Sequence, residues 1–201
     1  MSALEQSSLA MGLADPVFGS QHVFRTLLNA FAAPGTPMQI SYTLSGVPDS
    51  IPSAAAAVLL TMADYETPVW LSQPFDGIRP WLAFHTSAPM PMHPADARFA
   101  VVSADFNELR LDAFSLGDER YPDTSATIII ICPTLENGHP VTLKGPGIKD
   151  ATVFAPQGIE RAMWKQIADN NALFPLGVDL IFVAGSSLAA LPRSTRIIGD
   201  F

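Results

Sequence analysis

The sequence predicts an α/β protein, three layers of α/β/α around a mixed sheet, and three observations lead there. The first is Ala126-Thr127-Ile128-Ile129-Ile130-Ile131-Cys132, four consecutive isoleucines with no in–out alternation. β-Branched side chains suit a pleated backbone, and a strand without alternation is covered on both faces, as in the centre of a sheet between helical layers. Pro133 ends the run too soon for a helix. The second is a similar buried segment, Gly177 to Ala184. The third is the alternation of helical-period and strand segments, with one hairpin signal, over a chain of 201 residues. Residues 1–14 read as an N-terminal arm and residues 15–201 as a single domain.

In order along the chain, Ser20 to Ala32 reads as a helix. Phe24, Leu27, Leu28 and Phe31 recur at helical spacing, Ser20 is the N-cap, and Pro34-Gly35 ends it. Met38 to Leu44 alternates loosely, as an edge strand does. Pro52 and Ser53 open a second helix, Ala54 to Ala63, whose alanines allow close approach to a sheet. Thr67 to Leu71 is a short strand with Pro68 near its start. Asp76 to Phe84 makes another helix with Pro80 in its first turn, and the prolines between His85 and Pro94 make a loop.

Phe99 to Val102 reads as a strand. Asp105 and Glu108 have capping-box spacing for a brief helix that Gly117 closes. Beyond the isoleucine run, Glu136-Asn137-Gly138 predicts a hairpin that returns as Val141 to Lys144. A turn at Gly145-Pro146-Gly147 follows, then a strand at Ala151 to Phe154. Gln157 to Asn170 is an amphipathic helix with Ile159, Met163, Trp164 and Ile167 on one side. The strand Gly177 to Ala184 turns at Gly185-Ser186 towards Leu188 to Leu191.

Composition narrows the function. The net charge of −8 opposes binding to nucleic acid or to anionic membranes. One cysteine, Cys132, allows no intrachain disulfide, thiolate zinc site or Cys-ligated iron–sulfur centre. No signal peptide or bilayer-length apolar run is visible, so a soluble, cytoplasmic chain is expected. Hydrophobic residues make up 48% and charged residues 15%. That balance fits either an obligately associated subunit or a monomer with a large core.

The motifs for chemistry are mostly negative. Lys144-Gly145-Pro146-Gly147 lacks the Lys-Ser/Thr pair of a phosphate loop, so Gly145 and Gly147 read as structural turn residues. His22, His85, His93 and His139 do not have metal-ligand spacing, and no nucleophile elbow is present. Asp179 lies within an apolar strand, where a carboxylate is costly unless satisfied. It either pairs with an arginine such as Arg193 or Arg196 or holds a loop through backbone N–H groups, a structural role in both cases. His22, Arg25, Asp64 and His85, with Arg193, remain as candidates for a pocket or interface.

Several ordered stretches together resemble the H subunits of bacterial carbon–phosphorus lyase. They are Gln21-His22-Val23-Phe24-Arg25-Thr26-Leu27-Leu28 with Pro34-Gly35, Leu60-Thr61-Met62-Ala63-Asp64, and Thr67-Pro68-Val69-Trp70-Leu71-Ser72. Phe84-His85-Thr86-Ser87-Ala88-Pro89 and Leu143-Lys144-Gly145-Pro146-Gly147-Ile148 continue the set. Phe174-Pro175-Leu176-Gly177-Val178-Asp179-Leu180 and Leu191-Pro192-Arg193-Ser194-Thr195 complete it. The resemblance implies a fold like that of pyridoxal-phosphate-dependent transferases but without the cofactor, and a homodimer that joins G, I and J subunits. It implies a part in forming ribose 1-phosphonate 5-triphosphate from ATP and an alkylphosphonate. ATP, and an iron–sulfur cluster with S-adenosylmethionine, then belong to partner subunits, and no catalytic residue or metal site is carried over to this chain. The alternative is a stand-alone small-molecule-binding protein or pyridoxal-phosphate enzyme. Its Schiff-base lysine would have to be Lys144, Lys149 or Lys165.

Overall fold

The computed structural model describes residues 12–199, so most of the expected N-terminal arm lies outside the described residues. Residues 12–14 are already tied to the domain. Leu13 bridges Leu44, the Ala14 N–H donates to the Thr43 carbonyl, and Gly12 packs against the His85 ring. Among the described residues there are four α-helices and nine strands in two sheets.

Helix α1 is Pro16–Ala32, β1 Met38–Gln39, α2 Ser53–Met62, β2 Val69–Leu71 and α3 Arg79–Thr86. Then come β3 Phe99–Ser103, β4 Thr127–Ile131, β5 Val141–Lys144, β6 Thr152–Phe154, α4 Arg161–Ala172, β7 Asp179–Ala184, β8 Ser187–Leu191 and β9 Arg196–Ile198. The six-stranded sheet runs β1-β8-β7-β4-β3-β2. β2, β3, β4 and β7 are parallel, and β8 and β1 add antiparallel strands at one side.

The isoleucine strand is central, as its composition requires. β4 hydrogen-bonds to β3 on one edge and β7 on the other, and Ile128, Ile129 and Ile130 are buried. Ile129 faces one core with Val101, Ile181 and the helices α1, α2 and α3. The alanines Ala54 to Ala57 of α2 are fully buried there, and the absence of long side chains lets that helix sit deep in the layer. Ile128 and Ile130 face a second core with Phe182 and Trp164 of α4. In it Trp164 stacks on Phe182 at 6.1 Å, while Phe154 meets Phe182 edge-on at 5.2 Å. Aromatic pairs in these geometries add to the free energy of burial.

The second face departs from a simple helical layer. It carries one α-helix and a small antiparallel sheet, β6-β5-β9. The expected hairpin between β4 and β5 does not form. Asn137 does adopt the left-handed conformation of a tight turn, at φ +65°, but both edges of β4 are taken by β3 and β7. Val141 to Lys144 therefore pairs with β6 and β9 instead. β9, absent from the sequence expectation, completes that sheet.

The connections from β2 to β3 and from β4 to β7 step the same way across the sheet. The first runs through α3 on the face with Val101, the second through α4 on the opposite face. Two such crossovers on opposite faces have opposite hands, so one of them departs from the usual right-handed rule.

Three further boundaries differ from expectation. Helix α1 starts at Pro16, not Ser20, because the Asp15 carboxylate accepts the Val17 and Phe18 N–H groups, both at 3.0 Å. Asp105 nucleates no capped helix: its carboxylate accepts the Ser103 hydroxyl, and only a 3-10 turn, Leu111–Ala113, follows. The segment from Asp76 opens as the 3-10 helix Gln73–Ile78, and the α-helix after it runs through His85 to Thr86.

Gly147, at φ +81°, lies against the Ala32 carbonyl and the Pro34 ring, so a Cβ there would collide with the end of α1. Gly147→Ala should lower unfolding free energy by about 1–3 kcal/mol in denaturant titrations. Cys132 is buried just beyond β4, and burial pushes its thiol up to about 12. Over the range from about 9 to about 12 the unfolded chain has released this proton and the native chain has not. Stability should therefore fall as pH rises through that range, and Cys132→Ala should remove that part of the alkaline dependence.

Candidate functional site

The most developed polar cluster joins the start of β7 to the loop between β8 and β9. Arg193 donates from its backbone N–H to Asp179 Oδ1 at 2.8 Å and from Nε to the same oxygen at 3.1 Å, while Nη2 reaches Oδ2 and the Ser125 hydroxyl. Nη1 donates to the Pro122 carbonyl at 2.8 Å, and the Asn171 side-chain amide of α4 donates to the Arg193 carbonyl at 2.8 Å. The planar guanidinium thus spans three chain segments, a geometry a lysine could not reproduce. Asp179 is a register partner of Thr127, so the cluster sits where β4 and β7 begin. Of the sequence alternatives, Arg193 is the partner. Arg196 points its strand position outward on β9.

Beside this cluster the buried Asn170 closes a second clasp. Its amide exchanges hydrogen bonds with Val178, donating to the carbonyl at 3.0 Å and accepting the N–H at 2.8 Å. Gly177, at φ +115°, leaves room for that amide. Ser125, Asn170 and Asn171 were not legible as functional positions. Only the pairing of an aspartate at a strand start with a downstream arginine carried a signal.

The other candidates stand apart from this cluster. His22 and Arg25 lie exposed on α1, with the His22 ring 6.1 Å from Tyr42. Asp64 caps its own turn, accepting the Glu66 N–H at 2.9 Å and the Thr67 hydroxyl at 2.7 Å, and the Thr67 hydrogen bond first of all holds its carboxyl below the usual range. His85 is half-buried in the last turn of α3, between the rings of Trp81 and Phe84. Arg193 is the one member of the set engaged in the Asp179 cluster.

Three well-formed clefts open among the described residues, and His22, Arg25, Asp64, His85 and Arg193 do not line these three. The most spacious of the three, about 490 Å³, is lined by Leu111, Leu116 and Leu173 with Arg110, Asp112 and Asp169. Its charged groups are already paired: Arg110 with Asp112 at 2.7 Å and Asp169 with Lys165 at 2.9 Å. Another, about 410 Å³, lies beyond the carboxyl ends of β4 and β7. No group of three or more His, Cys, Asp or Glu suited to a metal occurs among the described residues. No helix among them is long and apolar enough to cross a membrane.

Apolar surface is more distinctive than any cleft. Helix α1 buries Gly19, Val23, Leu27 and Ala30, spaced so that they share one face. Phe24 and Leu28, which share its helical spacing, are 44% and 53% exposed, and Val17 extends the same stripe towards the start of the helix. The helix is wider in its apolar character than the one stripe that the domain covers.

An α/β domain whose polar clusters tie chain to chain, and which leaves an apolar helix stripe uncovered, is the kind of protein that works in contact with others. Comparison with known proteins gives the family. Residues 11–198 match the family model for the bacterial phosphonate metabolism protein PhnH, and the chain belongs to that family. It is 39% identical over 195 residues to alpha-D-ribose 1-methylphosphonate 5-triphosphate synthase subunit PhnH of Rhizobium meliloti strain 1021, covering 96% of this chain and 97% of that one. It is 34% identical over 178 residues to HtxG of Stutzerimonas stutzeri, a protein carried provisionally as a C-P lyase subunit, covering 88% and 85%.

Asp179→Ala would leave Arg193 without its counter-charge and three of the cluster's hydrogen bonds without their acceptor. The variant should lose about 1–3 kcal/mol of unfolding free energy, measured by denaturant titration at neutral pH.

Proposed function

We propose that this chain is a subunit of the carbon–phosphorus lyase system of phosphonate catabolism, assisting the formation of ribose 1-phosphonate 5-triphosphate from ATP and an alkylphosphonate. The observation that carries this reading is the 39% identity to a synthase subunit along nearly the full length of both chains. The role is one of assembly rather than chemistry. The strongest polar cluster ties strand starts and loops together, and the cleft of about 490 Å³ has its charges internally paired. The chain works in the cytoplasm as a homodimer that joins G, I and J subunits, with ATP and the iron–sulfur cluster held by those partners. The uncovered stripe of Val17, Phe24 and Leu28 on α1 supports association.

The order of the large sheet, with parallel strands flanked by an antiparallel one, supports kinship with the pyridoxal-phosphate transferase fold. A pyridoxal-phosphate enzyme is the weaker reading. Lys144 and Lys149 are exposed, and Lys165 is exposed and paired with Asp169, so none sits in an enclosed cup suited to a Schiff base.

The purified chain should be a dimer by light scattering and should release no adenine from ATP with methylphosphonate. Mixed with the other subunits it should assemble, and its omission should impair phosphonate use in cells. Adenine release by this chain alone would overturn the subunit reading, and a strict monomer at micromolar concentration would overturn the dimer.

A further inference from the structure

The small sheet has one face in the second core, through Val141, Leu143, Phe154 and Ile197, and leaves the other uncovered. On the uncovered face Val153 of β6 stands opposite Thr142 of β5, which stands opposite Ile198 of β9. The row crosses all three strands, and its two aliphatic ends are 67% and 47% exposed. Two residues further along the same face, Lys144 stands directly opposite Arg196, and both are exposed.

That placement opposes the stability of the isolated chain. Like charges directly across an antiparallel pair repel each other. Elsewhere Arg79, Arg110, Lys165 and Arg193 each hold a carboxylate, in a chain with eight more acidic than basic residues. Among the described residues Lys144 and Arg196 are two of seven cations that hold none, and these two face each other across a strand pair. A row of apolar side chains beside two unneutralised cations is instead complementary to a ligand with apolar groups next to a carboxylate.

We propose that the outer face of the β6-β5-β9 sheet docks an acidic segment of a partner protein. Its apolar side chains cover the row Val153, Thr142 and Ile198, and a carboxylate bridges Lys144 and Arg196. Charge selects this occupant: a basic segment is repelled here, and an acidic partner, repelled by the net negative charge of the chain, meets two facing cations on this sheet. The inference rests on the subunit reading for the partner being another member of the same complex.

The test uses the full chain and the remaining subunits of the complex prepared without it. Lys144→Glu combined with Arg196→Glu should weaken binding to those subunits by roughly tenfold or more at low salt, with an unchanged circular dichroism spectrum. Binding of the unaltered chain should weaken with added salt more steeply than that of the variant. Lys144→Glu alone places opposite charges across the strand pair. It should raise the thermal midpoint of the isolated chain while lowering its affinity for the complex, a divergence that a purely structural role does not produce. Undiminished affinity of the double variant overturns the docking surface and leaves the subunit reading standing. An effect confined to self-association assigns the face to a second copy and overturns the acidic partner. Failure of the unaltered chain to join the other subunits overturns the subunit reading and this inference together.

Discussion

The double-sided burial of β4 is the constraint on which the rest of the structure depends. A strand of consecutive isoleucines exposes apolar surface on both sides of its pleat, so it is stable only where both faces and both edges are covered. β3 and β7 take the edges, and two separate cores form on the faces, one from Ile129 and the other from Ile128 and Ile130. The elements before β4 mostly build the first core, and those after it mostly build the second. The small sheet follows from this arrangement. With no free edge on β4, β5 found its partners in β6 and β9.

The polar groups follow the same logic. The start of β7 needs a carboxylate-compatible environment, and Arg193 supplies it from beyond β8 while also gathering Ser125 and the Pro122 carbonyl. One guanidinium thus satisfies acceptors on two segments, Pro122 with Ser125 and Asp179 at the start of β7, at the edge of a packed core. Asn170 does the equivalent for Val178. These clusters are turned inward and spent on the fold, which leaves apolar and cationic surface as the outward-facing features.

That distribution suits membership in a family of complex subunits. Full-length similarity to a synthase subunit and the uncovered stripe on α1 point the same way. The like-charged pair on the small sheet adds a second contact face of different chemistry. A chain that met its partners through two such faces would link them, one by apolar packing and the other by charge.

Local features were legible without the fold. Ile128 to Ile130 announced a central strand because β-branching and the lack of alternation are properties of the stretch itself. Pro34 acted through backbone geometry in the same local way at the end of α1, although Asp15 outcompeted Ser20 as the cap. The resemblance in ordered motifs, now a full-length family match, was legible too. Pairing across distance was not. The hairpin failed because the edges of β4 were occupied by strands far away in sequence, and β9 is too short to declare itself. Phe24 and Leu28 share a helical period with Leu27, so periodicity alone could not separate the covered stripe from the exposed one. Only the packing of α1 against its neighbours decided which stripe was covered. Arg193 was one of two equivalent arginines by sequence, and the path of the chain from β8 into β9 selected it. Sequence by itself determined what each segment prefers, because propensity and capping act within a few residues. The tertiary structure decided which preferences could be met together, because edges, faces and counter-charges are shared among segments and each can be used once.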